Sequence, residues 1–263
     1  MNPADAEKAW LRLNFPGDET MKVLAGAMLI LAVATGARAA DTRTPPDLSG
    51  VWWSQHKVAA VHPVGRSAIP FTAEGAARYA TNKSLIKEID SRLPSLHDMR
   101  RCLPDGTPRV WGSGFPFQIM ERSDEVVIAY ERDHIRRFVL MNQTLDYDAA
   151  DPSYMGSSVG HWDGDTLVID SGAYKPTFLD DSGLPHGDNL KFTERLRKIG
   201  GGKTLEVLAT IDDPQMYKTS WTARYTFTLR PKERIQDYLC GIGVVQSRFG
   251  MQGAIPKLKH HGS

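Results

Sequence analysis

The chain has 263 residues, and its 32 lysines and arginines against 31 aspartates and glutamates leave a formal net charge of +1. That balance gives no broad electrostatic pull toward nucleic acid or acidic surfaces, so no nucleic-acid partner is expected. With 41% hydrophobic and 24% charged residues, 23 glycines and 16 prolines, the composition is that of a globular protein able to bury one core, neither disordered nor collagen-like.

The first feature along the chain is the apolar run 23–35, too short to span a bilayer and of the length of a signal-peptide core. Met21-Lys22 precedes it and the small-x-small sequence Ala37-Arg38-Ala39 follows it. Residues 1–39 are therefore expected to be a signal peptide cut before Ala40, and the protein to be periplasmic or secreted. The stretch 1–20 carries acidic residues where a signal peptide is basic, which makes Met21 the expected true start. An amphipathic N-terminal arm is the alternative. No membrane span is expected.

Two cysteines, Cys102 and Cys240, are the whole cysteine inventory. In an oxidising compartment such a pair is more often bridged than free, so one disulfide is expected, with two buried thiols as the alternative. Closing so long a loop would stabilise by about 5 kcal/mol in the chain-entropy model. No CxxC or cysteine–histidine ligand spacing is present, so structural zinc is disfavoured; the spacing of His134, His161 and His186 permits a three-histidine metal site but, without an HxH or HxxxH pair, does not predict one, and no cofactor is expected.

Residues 40–116 are Pro-rich and irregular, with one helical candidate at 72–89. From Phe117 the character changes to strands. The β-rich runs 125–131 and 135–141 are joined by a short turn at Arg132-Asp133, and 157–162 and 166–169 flank Asp163-Gly164-Asp165, a favoured tight-turn sequence. Next, 190–199 and 204–211 flank Gly200-Gly201-Gly202, a hairpin turn rather than a phosphate loop, because a strand and not a helix follows. The run 221–230 alternates cleanly: Trp221, Ala223, Tyr225, Phe227 and Leu229 share one face, with Arg224, Thr226 and Thr228 on the other. A last strand is expected at 234–240, within a barrel spanning 117–245, and 246–263 with His260 and His261 is expected to be a tail. Asp146, Asp148 and Asp151 lack the central Gly and terminal Glu of a calcium loop and read as a solvated turn.

Consecutive antiparallel strands without interleaved helices define an all-β fold, a single up-and-down β-barrel or strongly curved sheet, and exclude a parallel α/β fold. Gly50-Val51-Trp52 resembles the opening signature of the lipocalin-like (calycin) barrels, in which the Trp plugs one barrel end. A second resemblance covers nearly all of the chain after residue 39. It is carried by 46–52 (PDLSGVW), Arg101-Cys102-Leu103-Pro104, His134 with Arg137, 160–168 (GHWDGDTLV), Thr193-Glu194-Arg195 and Ile211-Asp212-Asp213-Pro214. Together these are similar to a family of exported, uncharacterised ("hypothetical") bacterial β-rich proteins. That resemblance implies an exported, mostly β domain with the same cysteine pair, and no activity; Asp163 stands where the family usually has Glu.

Function must then be sought in residues that break the strand pattern. Glu194 shares a face with Leu190, Phe192 and Leu196, and Arg137 with Ile135, Val139 and Met141. A carboxylate and a cation therefore both face inward, and an inward charge needs a partner or a ligand. The expected internal pair is Arg137 with Glu194; a plain structural salt bridge, or a bulge turning either residue outward, is the alternative. His134 opens the Arg137 strand and titrates near neutrality, so His134, Arg137 and Glu194 form the candidate catalytic set. His161 and Trp162, and His186 beside Asp180 in a Pro-Gly-rich loop, are candidate ligand-binding residues at a barrel mouth. Two functions follow: a barrel binding a small hydrophobic or aromatic molecule, or a cofactor-free lyase, isomerase or hydratase. A scaffold or envelope protein is a third.

Overall fold

The computed structural model of the protein describes residues 44–54, 56–92, 104–236 and 238, all within one compact unit, Asp41–Ser263. The signal-peptide segment 1–39 with Met21, both Cys102 and Cys240, and the tail 246–263 lie outside the described residues. Among the described residues no helix is long and apolar enough to cross a membrane.

Among the described residues nine strands form: β1 (Gly50–Trp53), β2 (Phe117–Glu121), β3 (Glu125–Tyr130), β4 (Arg136–Met141), β5 (Ser157–Asp163), β6 (Thr166–Gly172), β7 (Lys191–Ile199), β8 (Thr204–Asp212) and β9 (Trp221–Leu229). They close in chain order into a barrel, β9 pairing back onto β1 through Trp52↔Leu229 and Trp53↔Thr228. Closure leaves no row of unpaired backbone groups at a sheet edge. The all-β, lipocalin-like barrel expected from the strand pattern is thus the fold. Gly200, Gly201 and Gly202, at φ of 59°, 67° and 81°, make the β7–β8 turn that the alternation located.

Two details differ from the all-antiparallel expectation. β4 and β5 run parallel, through Val139↔Ser158, Leu140↔Val159 and Met141↔Gly160, whereas the other neighbours are antiparallel. The connection 142–156 is long enough to carry the chain back to the starting end of β4, which a parallel pair requires. Residues 234–236, expected to begin a final strand, are not strand; the rest of 234–240, Tyr238 apart, lies outside the described residues. The position a final strand would take beside β9 belongs instead to β1, from the segment expected to be irregular.

Alternation sets what the barrel buries. Along β9, Trp221, Ala223, Tyr225 and Phe227 are buried while Arg224, Thr226 and Thr228 are exposed. The single turn of 3-10 helix Arg109–Gly112 inserts Trp111, whose ring lies 4.9 Å from Phe117, 5.5 Å from Tyr130 and 5.6 Å from Phe227. Aromatic pairs of this kind contribute about 0.5–1.5 kcal/mol each beyond their burial. At that level the lumen is filled by side chains. Trp52 of β1 is fully buried, and its indole N–H donates to the Leu48 carbonyl at 2.9 Å.

Helix α1 (Ala73–Arg92) covers the expected 72–89. It starts where it does because the Thr72 hydroxyl accepts from the Gly75 amide at 2.9 Å, an N-cap bond. Tyr79 stacks on Phe71, and Asn82 donates to the Gly183 carbonyl at 2.9 Å, so the helix braces the loop between β6 and β7.

Candidate functional site

Strand parity turns Arg137 and Glu194 inward, and the structure joins them. Their side chains are 1% and 0% exposed and form an ion pair between Arg137 Nη2 and Glu194 Oε2. The guanidinium reaches from β4 to β7 because the strands between carry small residues. Ser158 of β5 and Ser171 of β6 face each other in register, accept from Arg137 Nε at 2.9 Å and Nη2 at 2.6 Å, and lie 3.0 Å apart. Gly160, further along β5, packs against β4: a Cβ there would come within 2.8 Å of Val139 Cγ1. The other carboxylate oxygen, Glu194 Oε1, accepts from Trp111 Nε1 at 2.5 Å.

Removing two such ions from water costs several kcal/mol each, which their attraction offsets only when the remaining hydrogen bonds are made. For Glu194 both oxygens are engaged. Burial alone would lower the Arg137 pKa, but the Glu194 charge and hydrogen bond outweigh it and hold the guanidinium above its ordinary range. For Arg137 the set is incomplete. Its Nη1 makes no close, well-aligned hydrogen bond, with the Tyr130 hydroxyl beside the guanidinium, while the buried hydroxyl of Tyr225 and the indole nitrogen of Trp221 have no hydrogen-bond partner. Burial pushes the Tyr130 and Tyr174 phenols well up, with Arg137 opposing and Glu194 reinforcing the shift in both and hydrogen-bonding contacts to Arg137 (Tyr130) and Ser171 (Tyr174) also opposing it, so each remains a neutral O–H beside the ion pair.

A groove of about 510 Å³ meets the barrel wall here, bordered by Arg137, Ser158, Phe138, Leu140, Leu145 and Met155. It follows from the parallel junction. The β4–β5 ladder starts at Val139↔Ser158, so there is no rung at the level of Arg137.

The other sequence candidates do not join this site. His134 is exposed, in the β3–β4 turn, with the left-handed φ of 52° that the turn imposes; it is a turn residue rather than a partner of the ion pair. His161 is exposed and borders a separate outer groove of about 470 Å³ with Tyr147, Asp170 and Lys191, while Trp162 is half-buried beside it in sequence. His186 is buried, but both ring nitrogens serve the fold: Nδ1 meets the Gly187 carbonyl at 2.8 Å and Nε2 accepts from the Thr177 amide at 3.1 Å. That pattern is the neutral ring, and burial lowers its pKa against the pull of the Gly187 hydrogen bond and Asp213. Asp180 is a loop staple, accepting from the amides of Val61 (2.9 Å), Ser182 (2.9 Å) and Leu184 (3.1 Å). Among the described residues no three His, Cys, Asp or Glu side chains gather as metal ligands.

Parity reasoning missed Trp111, Ser158, Ser171, Tyr130 and Tyr174. Ser158 and Ser171 carried a usable signal, being small polar residues facing one another across the hairpin that the Asp-Gly turn defines. Trp111 sits in an irregular segment with no period to read. A charged network at another place, Arg109 with Asp105 and Asp181, and Arg132 with Asp105 and Asp133, was likewise not foreseen.

No family model and no curated protein matches the chain. What the barrel does is read from the chemistry of the site itself.

Proposed function

We propose that the protein is an exported barrel that binds a small, largely apolar or aromatic molecule at the β4–β5 wall, its polar end reaching the Arg137–Glu194 site. The observation that carries this reading is the Nη1 of a buried, charged arginine, which makes no close, well-aligned hydrogen bond in the protein. A donor left unpaired in a core costs about 1–3 kcal/mol, and more when charged, so a site that keeps one has a use for it. The groove of about 510 Å³ bordered by Arg137 supplies apolar walls from Phe138, Leu140, Leu145 and Met155. An acid–base enzyme finds less support, because both Glu194 oxygens are engaged and His134 is exposed elsewhere.

Native mass spectrometry of protein purified from its own cells tests the proposal. Wild type should carry an organic adduct. Ser157→Trp, which fills the groove from its half-buried rim position, should lose it. A bare wild-type protein, or an adduct retained equally by Ser157→Trp, overturns the reading.

A further inference from the structure

A pocket of about 300 Å³ at another place in the fold is lined from the loop 57–59, helix α1, the 3-10 turn Arg109–Gly112 and the β3–β4 turn, and shares no lining residue with the β4–β5 groove. Three cations, Lys57, Arg109 and Arg132, and three carboxylates, Asp90, Asp105 and Asp181, border it, and Ile86 and Phe115 add apolar wall. We infer that this pocket binds an uncharged polyhydroxylated molecule of about one sugar ring, a monosaccharide or a cyclitol.

The charged network spends only part of its hydrogen-bonding capacity on itself. Arg109 meets both of its carboxylates through Nε, Asp181 at 2.8 Å and Asp105 at 3.6 Å. Its Nη groups, which carry most of the guanidinium's hydrogens, are thus left for another acceptor. Asp105 has a side chain only 6% exposed, and its second cation, Arg132, also stands off at 3.4 Å. Contacts that long lack the short geometry of a charge-assisted hydrogen bond, so the carboxyl oxygens keep accepting capacity. Lys57 pairs with Asp181 yet is 47% exposed, and Ser113 accepts from the Phe115 amide at 3.3 Å, which leaves its own hydrogen to donate. Donors and acceptors therefore stand side by side around one small cavity. Charge chooses the ligand. An anion seated on Arg109 would lie against Asp105 and Asp181, and a cation seated on Asp105 would lie against Arg109 and Arg132, so each meets repulsion that offsets its attraction. A hydroxyl both donates and accepts and adds no charge, so neighbouring hydroxyls can bridge a carboxylate and a guanidinium at once. The volume, at the lower end for small-molecule sites, suits a single ring.

Saturation-transfer difference NMR of the full chain, at a slightly acidic pH where amines are charged, tests this with probes of one shape and different charge. D-glucose, D-galactose, D-mannose and myo-inositol are the neutral probes; D-glucuronate, D-galacturonate, D-glucosamine and D-galactosamine are the charged ones. At least one neutral probe should bind, and more tightly than its charged analogues. Ala59→Trp, which fills the pocket from its exposed rim, should abolish that binding. Arg109→Met should weaken it roughly tenfold or more, the usual loss for a hydrogen bond to a charged group; should that variant not fold, Ala59→Trp decides alone. Ser157→Trp, in the β4–β5 groove, should leave it unchanged, so these results and those on the groove stand or fall separately. Binding of no neutral probe, tighter binding of a uronate or amino sugar, or binding retained in full by Ala59→Trp overturns the inference.

Discussion

Replacing Tyr225 by phenylalanine should stabilise the protein, the reverse of the usual result for a buried residue. The side chain is 4% exposed and its hydroxyl has no hydrogen-bond partner. The substitution keeps the ring and removes an unsatisfied polar group, whose burial costs about 1–3 kcal/mol. A gain of about 1 kcal/mol is expected, or roughly 2–4 °C in melting temperature for a domain of this size. Tyr217→Phe is the control. Its hydroxyl donates to the Pro185 carbonyl at 2.7 Å, so its removal should cost about 0.5–1.5 kcal/mol. Urea denaturation of the two variants reads the difference directly. If Tyr225→Phe loses as much as Tyr217→Phe, its hydroxyl is satisfied and the core holds no orphan there.

Four further outcomes are expected. Phe227→Ala should cost about 3–5 kcal/mol, whereas Thr226→Ala, one residue along β9 and exposed, should cost little; equal costs in chemical denaturation would refute the register. Glu194→Gln should destabilise by about 3–5 kcal/mol by leaving Arg137 charged and poorly paired, and the double variant Arg137→Met, Glu194→Gln should recover much of that loss in thermal melts. His186 has a folded-state pKa depressed by burial, so the unfolded chain takes up the proton first; its contribution is complete above about pH 6.5 and is lost as pH falls through the lower folded value. An acid-side fall in stability that His186→Gln does not flatten would exclude that role. Intact mass of the exported protein, with and without reductant, should show a chain beginning at Ala40 with a Cys102–Cys240 bridge; retained Met1 or two free thiols would refute it.

The inward pair was legible because a strand has period two. Once 135–141 and 190–199 read as strands, parity alone turned Arg137 and Glu194 toward the core. Strand direction has no such signature: alternation is the same in parallel and antiparallel pairs, so the β4–β5 junction, and the groove that it opens, could not be read from 142–156. Irregular segments hide their contacts for a related reason. Trp111 and Asp180 reach distant elements through hydrogen bonds, and His186 closes its own loop through the Thr177 amide, and nothing periodic marks which backbone amide a loop carboxylate or imidazole will meet. His134 belongs with them, since a histidine at the head of a strand gives no sign that the turn before it takes a left-handed backbone and carries the ring to solvent.

The central claim, that the buried Arg137 keeps a donor for a ligand, is tested most directly by a high-resolution crystal structure of the protein purified from its own cells. An organic molecule with an oxygen within hydrogen-bond distance of Arg137 Nη1, its hydrocarbon part lying toward Phe138 and Leu145, is the predicted result. Nη1 bonded to the Tyr130 hydroxyl or another protein acceptor, or to ordered water alone, would contradict it.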